Sequence, residues 1–107
     1  MKKFIFAKDR GIFHKIFLDD ILYLTSSKDY VLIKVVDRRF IVHTTMTSME
    51  KRLETHNFCR TSRAHIVNME KIDRIQDHEI QIGNDRVLIG GRVYRKNFYE
   101  KLKEWQV

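Results

Sequence analysis

Proline is absent from the 107 residues, glycine occurs four times and cysteine once. With no proline-rich, glycine/serine-rich or repeated tract, nothing divides the chain into parts or leaves a linker. At this length a single domain spanning residues 1–107 with a modest core is expected. The lone Cys59 has no partner for an internal disulfide, and between Phe58 and Arg60 it reads as a small packing residue rather than a nucleophile. No signal-peptide pattern and no apolar run of spanning length occurs, so a reducing, cytoplasmic setting without a membrane partner is expected. His14, His43, His56, His65 and His78 form no i, i+4 pair and no Cys-x-x-Cys accompanies them, which argues against a metal site. Phosphate-binding glycine loops, the zinc-protease His-Glu-x-x-His and the Gly-x-Ser-x-Gly nucleophile turn are likewise missing. No enzyme, no catalytic residue, no cofactor and no small-molecule substrate is therefore expected.

What the chain has in excess is positive charge. Lys and Arg number 21 against 14 Asp and Glu, a formal charge of +7 and an isoelectric point near 9.7. Hydrophobic residues at 43% and charged residues at 33% are a globular composition, so the excess cations sit on a folded surface. They predict an acidic partner, nucleic acid ahead of anionic membrane.

Along the chain, residues 4–7 and 12–18 are β-rich runs around the polar Lys8-Asp9-Arg10-Gly11 break and predict an opening hairpin. Phe4, Phe6, Ile12, Phe13, Ile16 and Phe17 give it more apolar surface than a free hairpin should show, so it is expected to pack against the rest. Residues 21–24 and 30–36 predict two strands flanking the polar loop 25–29, and Asp37-Arg38 suits a tight turn into a strand at 39–42. Met46, Met49 and Leu53 then fall at helical spacing, which predicts a helix over about 46–55 with the apolar stripe facing a sheet. Thr47 with Glu50 forms a candidate capping box, and Thr44 and Thr45 compete as N-caps.

The organising stretch is residues 58–74, which gathers Arg60, Arg63, Lys71 and Arg74 around the core candidates Ile66 and Val67. Three short strands follow at 72–75, 79–82 and 86–89, with Gln76-Asp77-His78 and Gly83-Asn84-Asp85 as turns. After Gly90-Gly91 comes a last amphipathic helix, with Phe98, Leu102 and Trp105 on one face and Arg95 near its start, where a cation opposes the helix dipole. The cations concentrate at Lys28, at Arg60 to Arg63 and at Arg92, Arg95 and Lys96, places where the chain leaves a strand or enters a helix.

This order of segments resembles the LytTR family. The resemblance spans residues 12–105 and rests on Asp20-Ile21-Leu22-Tyr23-Leu24 followed by a serine loop and Asp29-Tyr30, on a Thr-Met helix, and on Arg60-Thr61-Ser62-Arg63-Ala64-His65-Ile66-Val67-Asn68-Met69-Glu70-Lys71-Ile72. A closing Val93-Tyr94-Arg95-Lys96-Asn97-Phe98-Tyr99-Glu100-Lys101-Leu102 completes it. It implies a mostly β (α+β), elongated arrangement of short antiparallel sheets with one mid-chain and one C-terminal helix. It also implies sequence-specific binding of double-stranded DNA in bacterial transcription regulation, by loops entering successive major grooves. Carried over by position, Tyr30, Arg63 and Arg95 are the base-reading candidates. Ser26, Ser27, Lys28, Arg60, Ser62, Lys96 and Asn97 are candidates for the DNA backbone. Asn68 is expected to hold a turn, while Ile66 and Val67 enter the core.

The resemblance further implies direct-repeat half-sites, occupied by two copies or a homodimer. Response regulators of the family place a receiver domain before this portion. None is present in these residues, and both a stand-alone regulator and an excised output domain fit. Two other readings make different demands on the surface. A partner-binding module that keeps the fold without DNA affinity, as an antagonist or co-regulator, needs an apolar patch near Arg63 and Arg95 or along the opening hairpin. A single-stranded RNA binder needs solvent-facing aromatics among Tyr23, Tyr30 and Phe40.

Overall fold

The computed structural model describes residues 2–107. Strands β1 (Phe4–Asp9) and β2 (Ile12–Phe17) form the opening hairpin. Its two-residue turn puts Arg10 at φ 52° and Gly11 at φ 80°, left-handed values whose twist matches that of the flanking strands. Strands β3 (Tyr23–Ser27), β4 (Tyr30–Lys34), β5 (Arg39–Val42), β6 (Phe58–Ser62) and β7 (His65–Asn68) build a five-stranded antiparallel sheet in the order β5-β4-β3-β7-β6. Helix α1 (Met46–Leu53) connects β5 to β6. A three-stranded sheet, β10-β9-β8, follows from β8 (Arg74–Gln76), β9 (Glu79–Ile82) and β10 (Asp85–Leu88), and helix α2 (Arg92–Leu102) comes after it. The molecule measures 42 × 32 × 26 Å.

Alternation along the strands of the central sheet makes two cores. Leu24, Ile33 and Ile66 lie side by side in register and point to one face, where α1 lays Met46, Met49 and Leu53 against them and the hairpin adds Ala7, Ile16 and Leu18. Val67, Cys59 and Tyr23 point to the other face, where Ile80, Ile82 and Val87 of the second sheet and Phe98 of α2 close over them. Each such fully buried side chain contributes about 1.5–3 kcal/mol. The central sheet is thus covered along its length on one face and over β3, β7 and β6 on the other, where Leu32 and Ile41 of β4 and β5 stay half-buried.

Local chemistry explains where the observed boundaries depart from the sequence pattern. Asn68 accepts a hydrogen bond from Glu70 N–H and caps a single 3-10 turn, Met69–Lys71, so the strand expected from Ile72 starts only at Arg74. Similarly, the 3-10 turn Leu18–Asp20 delays β3 to Tyr23. Thr45 is the N-cap of α1, accepting from Ser48 N–H at 3.1 Å, which decides among the three threonines. The helix stops at Leu53, with Asn57 turned to φ 64° beyond it.

Two packing expectations are corrected. In the hairpin, strand alternation sends Ala7, Asp9 and Ile16 inward, which leaves Phe4, Phe6 and Phe13 exposed rather than packed; Ile12 shares the inner face with Asp9 but sits beside the turn and is exposed as well. In α2 the regular helix ends at Leu102, so Trp105 does not continue the buried Phe98 stripe and is 46% exposed.

Candidate nucleic-acid interface

Two backbone hydrogen bonds set three basic segments side by side. Ser26 N–H donates to Ala64 C=O at 2.9 Å, joining the end of β3, just before the β3–β4 turn, to the β6–β7 turn. Gly90 N–H donates to Thr61 C=O at 2.7 Å, joining the approach to α2 to the other side of β6. The residues around Lys28, Arg63 and Arg95, up to 67 positions apart in sequence (95 − 28), therefore follow one another along one rim of the molecule. All three side chains are exposed.

The first segment is shorter than the sequence suggested. Strand β3 continues through Ser27, which pairs with Tyr30, so only Lys28 and Asp29 form the turn, with Lys28 at φ 54°. A non-glycine residue adopts that conformation at a cost, and such strain concentrates at functional turns. Tyr30 is 46% exposed and packs its ring against His43, with centroids 5.4 Å apart. Together with Ser26, Lys28, Thr44 and Thr45 this pair lines an open crevice beside the turn. His43 and Thr44 line this crevice beside the candidate residues and were missed by the sequence reading. The only signal for them was the β4–β5 register, in which Val31 faces Val42 and so brings His43 opposite Tyr30.

In the middle segment β6 and β7 pair as Arg60↔Ile66 and then Ser62↔His65, so Thr61 is the extra residue of a bulge. The bulge leaves Arg63 and Ala64 as a two-residue turn. Arg63 makes no ion pair among the described residues, neither with Glu70 nor with Asp73, and its side chain points to solvent. Arg60, expected at the DNA backbone, has another occupation. Its guanidinium pairs with Glu50 at 3.1 Å and donates to the carbonyl oxygens of Ser62 at 3.1 Å and Arg63 at 2.7 Å, with 16% of the side chain exposed. It ties α1 to the turn that carries Arg63.

Behind the same turn lies a polar relay. Ser62 Oγ accepts from Ala64 N–H at 3.1 Å and meets His65 Nδ1 at 3.2 Å, while His65 Nε2 meets Thr25 Oγ1 at 3.3 Å. Ser62 is thereby a turn former, and burial holds the His65 imidazole below its ordinary pKa, in the neutral form.

The third segment begins with Gly90. A Cβ there would meet Ser62 Cβ at 3.1 Å and Thr61 O at 3.4 Å, so glycine is what lets the start of α2 approach the bulge. Gly91 is the N-cap and no side chain caps the first turn, which holds no acid. Arg92, Arg95 and Lys96 stand at i, i+3 and i+4, one exposed face of the helix. Asn97 lies on the far side from Arg95 and lines a crevice with Glu50, Glu54 and Arg60 instead.

The family model for the LytTr DNA-binding domain matches residues 12–103. The chain belongs to this LytTR family. A solved LytTr DNA-binding domain, from a putative methyl-accepting/DNA response regulator of Bacillus cereus, superposes with a TM-score of 0.80 over 95% of this chain and 98% of that one, at 18% identity. That likeness shows that the two share a fold. No curated protein matches the chain.

Membership makes this LytTR domain a DNA-binding domain of transcription regulation rather than a member of a catalytic family. Among the described residues no cluster of His, Cys, Asp and Glu is placed to hold a metal, and no helix is long and apolar enough to cross a membrane. Burial raises the Cys59 thiol to about 11, so this side chain stays protonated inside the second core. Strand β1 lies before the span that the LytTR family model matches.

Proposed function

We propose that this domain binds double-stranded DNA sequence-specifically, in the bacterial cytoplasm, as a response-regulator output module or a stand-alone regulator controlling transcription. The row built by the Ser26–Ala64 and Thr61–Gly90 hydrogen bonds carries this reading. It spaces three exposed basic turns along one rim, as a ligand presenting successive grooves requires. Tyr30, Arg63 and Arg95 project from that row and are the base readers, with Arg able to grip guanine O6 and N7 at about 1–3 kcal/mol of discrimination each. Lys28, Ser26, Ser27 and Lys96 serve the phosphates. The uncapped N-terminus of α2 adds backbone N–H donors and a positive dipole end that favour a phosphate and offset the cost of Arg95 in that turn. Arg60 and Ser62 act on DNA through the turn they hold. Two copies occupy direct-repeat half-sites.

The other readings fare worse at this rim. The row is polar and charged, without the apolar patch that a partner module in place of DNA binding would need near Arg63 and Arg95. The apolar patch lies along the opening hairpin instead, where Phe4, Phe6 and Phe13 are exposed, and it leaves the rim free for DNA. An RNA-stacking sheet is left with Tyr30 alone facing solvent, because Phe40 is 6% exposed and Tyr23 is half-buried with its hydroxyl donating to Asp85 at 2.9 Å. Selection of randomised duplex DNA by the purified chain, with winners retested at two salt concentrations, tests the proposal. A short element repeated at helical-turn spacing is the expected result. Weak binding to every duplex alike, lost as salt rises, would leave only a non-specific basic surface.

A further inference from the structure

The opening hairpin has a second surface that DNA binding does not use. Its outer face carries Phe4, Phe6 and Lys8 from β1 and Phe13, Lys15 and Phe17 from β2, with Phe4 opposite Phe17, Phe6 opposite Lys15 and Lys8 opposite Phe13. Phe6 is 61% and Phe13 66% exposed, although the inner face of the same hairpin is buried in the first core. Contiguous exposed aromatics of this kind on a soluble domain mark a contact surface. The cations are held among the rings: Lys15 Nζ lies 4.1 Å from the Phe4 ring centre, Lys8 Nζ 5.4 Å from that of Phe13 and Lys2 Nζ 5.5 Å from that of Phe17. The one acid of the hairpin, Asp9, is turned inward, 8% exposed, and accepts from Ile41 N–H at 3.1 Å. The outer face is therefore aromatic and purely cationic.

We propose that the outer face of the β1–β2 hairpin is a docking site for an acidic, apolar-rich segment of a partner protein, used alongside DNA binding. The chemistry selects this occupant over three others. A second copy would press lysines on lysines. Duplex DNA would neutralise the lysines but offers the phenylalanines nothing apolar to cover. A lipid surface needs rings that penetrate deeper than the cations, whereas here the ammonium groups sit over the rings and would be carried into the acyl region with them. A segment alternating Asp or Glu with large apolar residues meets both halves of the face, ion pairs to Lys8 and Lys15 and aromatic burial on Phe6 and Phe13. None of the hairpin residues lines the crevice at Tyr30 and Lys28, although Thr44 of that crevice also lines a neighbouring cleft with Phe4 and Phe6.

A displayed library of random peptides, selected on the full chain, is the test, with the Phe6→Ser/Phe13→Ser double variant as comparison. Both phenylalanines are exposed, so the variant keeps its core. The expected outcome is enrichment of peptides that interleave acids with Leu, Ile, Phe or Trp, bound about tenfold or more weakly by the variant. Duplex DNA binding should be the same for both proteins. The proposal is overturned if no acidic-apolar class is enriched or if the variant retains the selected peptides equally. It is overturned as well if the variant instead abolishes self-association in sedimentation, or binding to vesicles of phosphatidylcholine and phosphatidylglycerol. Absence of DNA binding by the unaltered chain would count against the proposed function and leave the peptide result standing.

Discussion

Arg60 grips the Arg63 carbonyl oxygen at 2.7 Å while holding Glu50 of α1 at 3.1 Å, so a charged side chain inside the sheet edge fixes the backbone from which its exposed neighbour projects. Removing the guanidinium leaves the Ser62 and Arg63 carbonyls without their donor. Arg60→Ala should cost about 1.5–3 kcal/mol, read from the midpoint of urea denaturation. Glu50→Gln should cost less than about 1 kcal/mol, because Glu50 is 42% exposed and solvent screens its share of the pair. Equal losses for the two variants would mean that the ion pair, not the carbonyl contacts, carries the effect.

The two kinds of basic residue along the rim should separate in DNA binding. Arg95→Ala is expected to lose about 1–3 kcal/mol on the selected duplex and much less on a scrambled one. Lys28→Ala should weaken both alike and lower the slope of log K against log salt by about one. Titrations of cognate and scrambled duplex at several salt concentrations distinguish them, and equal losses on both duplexes would remove Arg95 from base reading.

Gly90 decides whether α2 reaches the bulge. In Gly90→Ala the new methyl meets Ser62 Cβ at 3.1 Å, and either the turn or the helix start must move by a few tenths of an ångström. Fold stability should fall by about 1–3 kcal/mol, the range for overpacking. Affinity for cognate DNA should fall further than Gly91→Ala reduces it, since a Cβ at Gly91 meets nothing within 4 Å. Fluorescence anisotropy on the two variants makes the comparison.

Asn68 is 2% exposed, with its amide nitrogen donating to the carbonyls of Ile21 at 2.8 Å and Leu18 at 3.3 Å. Asn68→Ala takes the side-chain donor from the Ile21 carbonyl and the acceptor from Glu70 N–H, while the Leu18 carbonyl keeps Ile21 N–H, and should destabilise by about 1–3 kcal/mol. Asn68→Asp keeps the acceptor for Glu70 N–H but sets a carboxylate against two carbonyl oxygens, and is expected to be worse at neutral pH than at acid pH. Thermal denaturation of both variants across pH checks the order.

His65 supplies a pH dependence whose sign follows from burial. Its folded pKa lies below the unfolded value of about 6.5, so the native state binds fewer protons there than the unfolded chain does. Its contribution is complete above about pH 6.5 and is lost as the pH falls below that value toward the folded pKa. Denaturation midpoints at about pH 7.5 and about pH 5.5 should drop more for the native chain than for His65→Gln, and an identical drop would exclude His65 as the source.

By itself the sequence determined what depends on neighbours along the chain. The period-two runs, the Met46, Met49 and Leu53 spacing, and the turn residues at Arg10-Gly11 and Gly83-Asn84 specify strands, helix and hairpins through local backbone preference, and the order of motifs carried the family. The same reading named Lys28, Arg63 and Arg95 without knowing that they share a rim. Only the tertiary structure decided that, because the hydrogen bonds Ser26–Ala64 and Thr61–Gly90 join backbone groups that no periodicity pairs. It also engaged Arg60 with Glu50 and turned Phe6 and Phe13 outward. In each case the side chain's type is written in the chain, whereas its free or occupied state depends on which distant carbonyl, carboxylate or apolar face packing brings within a few ångströms.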